Sequence, residues 1–219
     1  MNAVCPLFER YRPTRWEDLV GQAKIVRRIG RLQERGGLAG RAYWISGQSG
    51  TGKTTVARLI AQEVADPLNV EEVDATGLSA AAIRSLEQES QLYGMGPLSG
   101  RCYLVNEAHG LNRAAVRQLL TTLERIPGHV VWAFTTTNDG QEGLFEELDD
   151  AHPLLSRCIE LPLARRGLAE AFAERAREIA IREDLDGRPP AAYLELVRQK
   201  RNNLRAVLQE IEAGAMLVE

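Results

Sequence analysis

The chain has 219 residues, enough for one large domain or for one domain with a smaller companion. Its hydrophobic fraction of 44% and charged fraction of 26% are ordinary for a globular protein, and its net charge of −3 excludes a globally basic nucleic-acid-binding protein. No apolar run approaches the roughly 18 residues that span a membrane, and the N-terminus lacks a signal pattern, so we expect a cytoplasmic protein with no membrane partner.

Short apolar segments alternate with amphipathic ones over the first three quarters of the chain. The predicted strands are 42–46, 69–75, 101–107, 129–137 and 158–162. The predicted helices run from Lys53 to about Ala65, from a cap at Ser79 to about Leu92, and from Asn112 to Glu124. This alternation predicts an α/β domain with a parallel five-stranded sheet, whose apolar strands are covered on both faces.

The pattern changes near Pro162, where the alternation of strands and helices ends. Residues 167–183, 189–199 and 202–217 are predicted to form three helices, separated by "LDGRPP" and "KRN". We therefore expect an α/β nucleotide-binding domain over 1–162 and a small helical lid domain over 163–219. Cys5, Cys102 and Cys158 lie far apart, and their spacing predicts neither a metal site nor a disulfide framework.

A phosphate-binding loop follows the first predicted strand, in the stretch "GQSGTGKTT". Its glycines let successive backbone N–H groups point at phosphate oxygens, and the N-terminus of the next helix adds its dipole. We expect Lys53 to reach the β- and γ-phosphates of ATP, and Thr54 to bind Mg²⁺. The predicted nucleotide-binding residues of the loop are Gly47, Gln48, Ser49, Gly50, Thr51, Gly52, Lys53, Thr54 and Thr55.

An acidic pair is expected at the end of the third strand, in "YLVNE". In phosphate-loop ATPases the first position is an Asp that holds the metal, and the second is often a Glu that orients the attacking water. Here Glu107 occupies the second position, but the first is Asn106, which is neutral. The amide oxygen of Asn106 can still serve the metal, so we expect ATP binding with weaker magnesium coupling and slower hydrolysis. The alternative, which applies if Glu107 is not catalytic, is that Asn106 is a strand-end residue that caps a turn.

The order of these and three further motifs resembles the AAA+ ATPases of the clamp-loader group, which includes replication factor C small subunits and the bacterial polymerase III tau/gamma subunit. The further motifs are "ERYRPTRWEDLVGQ", "LLSRC" and "NNLRAVL". The resemblance covers nearly the whole chain and implies an AAA+ core followed by a lid. It also implies an adenine pocket lined by Tyr11, Arg12, Pro13, Val20 and Gly21.

The resemblance also assigns roles at the far side of the nucleotide. Arg157, in "LLSRC", would be an arginine finger that enters a neighbouring subunit's site, which implies a homo- or hetero-oligomer through that face. Arg205 would touch the γ-phosphate from the lid. The first sensor lies at the end of "AFTTTN", where gap-free counting points to Thr137 and the broader pattern points to Asn138.

Clamp loaders follow DNA phosphates with helices that face the interior of a subunit spiral. The residues in matching positions are Arg84, in "DATGLSAAAIRSLEQ", and Arg113 and Arg117, which lie four apart on one face of a helix. The expected partners are therefore primed or junction DNA, with a sliding clamp or a helicase as candidate protein partners. The chain departs from the family in two ways, because the bacterial zinc module and the helical collar domain are not expected here.

The sequence thus predicts a DNA-associated, ATP-driven switch. One alternative is a subunit that binds ATP without hydrolysing it and lends Arg157 to an active partner. Another is a different DNA-directed AAA+ machine, such as a helicase loader or a branch-migration motor.

Overall fold

A computed structural model describes residues 5–147, 151–164 and 166–218. The chain divides into two compact units. The sheet unit comprises Arg27–Gly47 and the described residues of Lys53–Pro162. The helical unit comprises Gln48–Gly52, the described residues up to Val26 and the described residues from Leu163 onward. The chain changes unit after Pro162, the position where the sequence pattern changes, and the N-terminal segment groups with the C-terminal helices.

The sheet unit is built on a five-stranded parallel sheet, as predicted. Its strands are β1 (Arg41–Ser46), β2 (Val70–Asp74), β3 (Arg101–Asn106), β4 (Val130–Thr136) and β5 (Cys158–Pro162). Their order across the sheet is β2-β3-β4-β1-β5, and every pairing is parallel. The three central strands are almost fully buried, but edge strand β2 is largely exposed, so the expectation of strands covered on both faces holds only for the centre.

Helices cover the faces of the sheet and form the helical unit. They are α1 (Leu7–Arg10), α2 (Ala23–Glu34), α3 (Lys53–Val64), α4 (Ala80–Glu89), α5 (Arg113–Leu123), α6 (Asn138–Glu147), α7 (Ala151–Ser156), α8 (Ala169–Arg182), α9 (Pro190–Gln199) and α10 (Leu204–Glu212). The sequence analysis predicted six of these and missed α1, α2, α6 and α7. The adenine-pocket motif "ERYRPTRWEDLVGQ" ends at Gln22, directly before α2, and no helix was predicted after it, although Ile25 and Ile29 are buried at helical spacing.

Side-chain caps fix where several helices begin. The Ser79 hydroxyl accepts a hydrogen bond from the Ala82 N–H (3.1 Å) at the start of α4, which confirms the predicted cap. Asn112 caps α5 in the same way, through the Ala115 N–H at 2.9 Å. These caps satisfy backbone donors that no residue inside the helix can pair.

Each unit has its own apolar core. In the sheet unit, Trp44, Trp132 and Phe134 are at most 1% exposed, and the Phe134 ring centroid lies 5.7 Å from that of Trp44 and 6.1 Å from that of Trp132. In the helical unit, Leu7 from the N-terminal segment and Phe172 from α8 belong to one buried cluster. The sheet core holds the strand ends in register, and those ends carry the candidate functional residues.

Candidate functional site

The phosphate-binding loop joins β1 to α3, as its motif requires. Within the sheet unit, Lys53 is the first residue of α3, is only 8% exposed, and donates from Nζ to the Gly47 carbonyl at 3.1 Å. The Gly47 N–H donates to the Thr136 carbonyl at 3.3 Å. A buried ammonium at a helix N-terminus is a site for an anionic ligand, since both carry positive charge.

The glycines of the loop have backbone conformations that other residues adopt only with strain. Gly50 has φ +74° and Gly52 has φ +103°. Within the helical unit, a Cβ added to Gly50 would lie 1.9 Å from Asn203 Oδ1. Asn203 caps α10 through the Ala206 N–H at 3.1 Å, so the loop passes directly against the start of that helix.

The end of β3 carries the divergent acidic pair. Glu107 follows the strand in the left-handed conformation (φ 51°, ψ 49°), and its side chain is 50% exposed. His109 Nδ1 lies 3.5 Å from Glu107 Oε2 and 3.3 Å from Thr136 Oγ1. Thr136 at the end of β4 therefore contacts both the start of the phosphate loop and the turn that carries Glu107.

Asn106 is hydrogen-bonded at both ends of its amide. Its Nδ2 donates to Glu72 Oε1 at 2.6 Å, and its Oδ1 accepts from Thr135 Oγ1 at 3.0 Å. Arg58 on α3 donates in turn to Glu72, from Nε at 3.1 Å and from Nη2 at 3.3 Å. Sequence reasoning missed Glu72 and Arg58 because neither belongs to a recognised motif. The alternating side chains of β2 were the signal that could have placed Glu72 beside the neighbouring strand.

The two candidates for the first sensor are arranged differently. Thr137 Oγ1 accepts from the Gly140 N–H at 3.1 Å, which makes it a local cap for the start of α6. Asn138 is the first residue of α6, and its Nδ2 is buried with no hydrogen-bond partner among the described residues. A buried amide donor that lacks a partner is costly, so it fits a ligand better than the Thr137 hydroxyl does.

Arg157 lies between α7 and β5 and contacts its own chain. Its Nη1 donates to the Pro153 carbonyl at 2.9 Å, and its Nη2 forms a salt bridge with Glu124. The Arg157 side chain is 28% exposed, so the guanidinium lies near the surface of the sheet unit. A role in a neighbouring subunit requires the salt bridge to Glu124 to open.

The residues assigned to the adenine pocket and the lid belong to the helical unit. Gly21 has φ +75°, and a Cβ there would lie 2.5 Å from Leu168 Cδ2. Val20 packs on the same cluster. The Tyr11 hydroxyl donates to Glu183 Oε1 at 2.5 Å, and this bond raises the pKa of Tyr11. Arg205 lies over the ring of Phe8, 5.5 Å from its centroid.

Two further predicted adenine residues also lie in the N-terminal segment. Arg12 donates from Nε to Glu9 Oε2 at 3.0 Å, and Pro13 is half-buried. Their assignment to a base-binding pocket stays a prediction.

The predicted DNA-binding arginines are exposed on two packed helices of the sheet unit. Arg84 on α4 donates from Nη1 to Gln118 Oε1 on α5 at 3.2 Å. Gln118 follows Arg117 directly, so Arg84 lies near the helix that carries Arg113 and Arg117. The structure brings the three residues to one pair of helices, whereas DNA contact stays a prediction.

Comparison with known proteins then decides the family. Residues 43–163, more than half of the chain, match the ATPase family associated with various cellular activities (AAA). The chain belongs to the AAA family. Within the part of the chain that the structure describes, no helix is long and apolar enough to cross a lipid bilayer.

Curated relatives of this AAA chain are DNA polymerase III subunits. It is 31% identical over 156 residues to subunit gamma of Buchnera aphidicola, covering 60% of this chain and 42% of that protein. It is 29% identical over 224 residues to subunit tau of Escherichia coli, covering 92% of this chain and 33% of that protein. The chain thus spans less than half the length of these relatives.

The fold has a solved counterpart in the Thermotoga maritima RuvB Holliday junction branch migration motor. That structure superposes with a TM-score of 0.70 at 22% identity, over 92% of this chain and 64% of that one. At this identity the likeness concerns the fold alone.

The AAA family implies ATP and Mg²⁺, and the residues present fit the nucleotide better than the metal. Within the sheet unit, buried Lys53 at the start of α3 suits a phosphate, and so does the Asn138 amide, which has no hydrogen-bond partner among the described residues. For the metal, Thr54 and Glu107 offer oxygen ligands, but both side-chain groups of Asn106 already have protein partners.

Proposed function

We propose that this AAA chain is an ATP-driven switch of the clamp-loader kind that acts on DNA in replication or repair, in the cytoplasm. One observation carries the proposal: Thr136 contacts both the first residue of the phosphate loop and the His109 ring beside Glu107. The loop that would bind phosphates and the carboxylate that would act on water therefore meet at one strand end. The names of the polymerase III relatives support the link to DNA replication.

Each residue of the site has a separate task in this proposal. ATP with Mg²⁺ would supply the phosphoanhydride bond and the charge that polarises it. Lys53 and the loop N–H groups would bind the phosphates, and Thr54 would hold the metal. Glu107 would orient the attacking water and accept its proton, which its exposed carboxylate allows. Asn138 rather than Thr137 would act as first sensor, because its buried Nδ2 has no hydrogen-bond partner among the described residues and is available to a ligand.

Arginines outside the phosphate loop would couple nucleotide binding to the neighbouring subunit and to DNA. Arg205 would read the γ-phosphate from the lid, and Arg157 would enter a neighbouring subunit's site. Arginine fingers supplied in trans raise phosphoryl-transfer rates by about 10³–10⁵ in related systems. Arg84, Arg113 and Arg117 would contact DNA phosphates, and a sliding clamp or helicase would be the protein partner.

The test is steady-state ATP hydrolysis with Mg²⁺, with and without primed DNA, by the native protein and by Lys53→Ala. We expect turnover that DNA stimulates, and a loss of both binding and turnover in the variant, because the buried ammonium is the main charge of the loop. Turnover that is unchanged in Lys53→Ala would show that the activity arises elsewhere. An ATP hydrolysis rate that is the same with and without primed DNA would contradict the proposed action on DNA.

A second candidate function is a subunit that binds ATP without hydrolysing it. The observation that favours it is the neutral Asn106, whose amide is committed to Glu72 and Thr135. On this view Arg157 serves an active partner's site. Tight ATP binding without turnover, in the presence of both DNA and partner, would support this candidate.

A further inference from the structure

The amide at the end of β3 is oriented by a carboxylate on the neighbouring edge strand. The ionised carboxylate of Glu72 can only accept hydrogen bonds, so the group of Asn106 that faces it at 2.6 Å must be the Nδ2 donor. The amide oxygen consequently faces the Thr135 hydroxyl, which is buried and donates to it at 3.0 Å. The surroundings of Asn106 thus select an amide over a carboxylate.

An aspartate at position 106 would be repelled by the carboxylate of Glu72. Its oxygen would take the place of Nδ2 and face Glu72 Oε1 at hydrogen-bond distance, with no hydrogen between two acceptors of like charge. Glu72 lies on the exposed edge strand, but its side chain retains only 30% of its accessible surface and the Thr135 side is buried, so solvent screens this repulsion in part. A simple return to the usual metal-binding residue is therefore unfavourable in this chain.

Arg58 ties Glu72 to the helix of the phosphate loop. Its guanidinium contacts both Glu72 oxygens, and its position on α3 is one turn after Thr54, the predicted magnesium ligand. An aspartate at position 106 would place a negative charge at the end of β3. In this chain the negative charge lies on β2 instead, on Glu72, where Arg58 balances it. The strand end itself presents a neutral amide.

We propose that Glu72 and Asn106 form an exchanged pair, with the carboxylate on β2 and the amide on β3, in which Glu72 is the positioning residue. This inference rests on the proposed nucleotide site. It has two consequences. An acid at position 106 is tolerated only when position 72 becomes an amide, which can then donate to it. Magnesium contributes little to nucleotide affinity in the native pair, and more when the pair is reversed.

The first test needs no nucleotide. The thermal midpoints of the native protein, Asn106→Asp, Glu72→Gln and the double variant Glu72→Gln/Asn106→Asp are compared by calorimetry. We expect Asn106→Asp to unfold about 4 °C or more below the native protein, and the double variant to recover most of that loss. Glu71→Gln/Asn106→Asp is the matched control, since Glu71 is the adjacent residue of β2 and points to the opposite face. It should recover nothing.

The second test measures ADP affinity with Mg²⁺ and with EDTA. The ratio of the two affinities should rise about tenfold in Glu72→Gln/Asn106→Asp and stay at the native value in the control Glu71→Gln, since outer ligands change metal affinity by about 10–100-fold. A purely structural role for Glu72 would restore stability in the double variant without changing this ratio, and would overturn the positioning role.

The two tests separate the pair from the proposed function. A stable Asn106→Asp variant, or equal recovery with Glu71→Gln, would overturn the exchanged pair even if the native protein hydrolyses ATP. The double variant could recover stability while no form of the protein binds ADP. That result would support the hydrogen bond between positions 72 and 106 but overturn the role of the pair at a nucleotide site.

Discussion

Thr136 and its neighbours arrange the candidate site through single contacts. Its carbonyl receives the Gly47 N–H, and its hydroxyl lies 3.3 Å from His109 Nδ1. Glu107 reaches the same place only because its backbone takes the left-handed conformation, which turns its side chain out of the strand. Such strain at a strand end is typical of functional turns, and this one carries the residue to which we assign the attacking water.

At the same scale, we expect any side chain at position 50 to lower the unfolding free energy strongly. Gly50→Ala combines a positive φ with a Cβ 1.9 Å from Asn203 Oδ1. Gly37→Ala is the matched control, because Gly37 has φ +87° and nothing within 4 Å of its added Cβ. We expect the control to lose only about 1–2 kcal/mol of unfolding free energy, the cost of the left-handed backbone, and Gly50→Ala to lose clearly more in denaturant titrations. Equal losses would mean that the Asn203 contact has no energetic weight.

The cysteines should differ sharply in reactivity. Burial raises the pKa of the Cys158 thiol to about 12, with a smaller contribution from Glu160, and burial also raises the pKa of Cys102. A raised pKa lowers the thiolate fraction, to about 10⁻⁴ at pH 8 for Cys158, and thiolate is the reactive form. Titration of the native protein with a thiol reagent at pH 8 should show one fast thiol, exposed Cys5.

The control for this prediction is Cys5→Ser, which should leave no fast thiol until the protein is denatured. Rapid reaction of Cys158 in the native protein would show that the start of β5 opens readily to solvent.

At the scale of elements, the regular parts of the sheet unit were predictable and its edges were not. The apolar runs of β1, β3 and β4 are buried throughout, so hydrophobicity alone located them. The capping residues Ser79 and Asn112 similarly marked where α4 and α5 begin. Helix α1 is a single turn of four residues, too short for a periodic signal.

The site was predictable where one motif holds all its members. The phosphate loop is local in sequence, so its residues and the start of α3 followed from the pattern. The Glu72–Asn106 contact joins residues 34 apart, and it depends on the pairing of β2 with β3. Sequence reasoning treated Asn106 alone and therefore missed the partner that explains its amide.

The packed helices α4 and α5 carry the prediction on DNA. Arg113→Ala and Arg117→Ala should each weaken primed-duplex binding to a similar extent on different sequences, because phosphate contacts carry no sequence information. Each should also reduce the slope of log affinity against log salt by about 0.9, in titrations followed by fluorescence anisotropy. Arg198→Ala, an exposed arginine on α9 of the helical unit, is the control and should change neither quantity. Unchanged slopes in the α5 variants would remove these residues from the DNA interface.

At the scale of the whole molecule, the assignment of Arg157 requires more than one copy of the chain or a related partner. In the structure Arg157 is held by Glu124 and the Pro153 carbonyl of its own chain. Release of that salt bridge in an assembly would free the guanidinium for a neighbour. The surface pair costs little to open, since such pairs contribute at most about 1 kcal/mol.

A mixing experiment tests that assignment. Arg157→Ala and Glu107→Gln are each expected to lose most ATP hydrolysis. The first variant lacks the proposed arginine finger, and the second lacks the proposed general base. If the finger acts in trans, a mixture of the two should regain part of the native rate, because some interfaces then combine an intact Arg157 with an intact Glu107. The rate is measured against protein concentration. Full activity of Arg157→Ala alone would rule out the finger.

The most direct test of the central claim compares the native protein with Glu107→Gln, measuring ATP affinity and steady-state hydrolysis with Mg²⁺ in parallel. We expect equal ATP affinity and a hydrolysis rate at least about 100-fold lower in the variant, because the role proposed for Glu107 is to act on the attacking water and not on the phosphates. Equal hydrolysis by both proteins would contradict it. So would a native protein that binds ATP and never turns it over, because the chain would then hold ATP only for a partner's benefit.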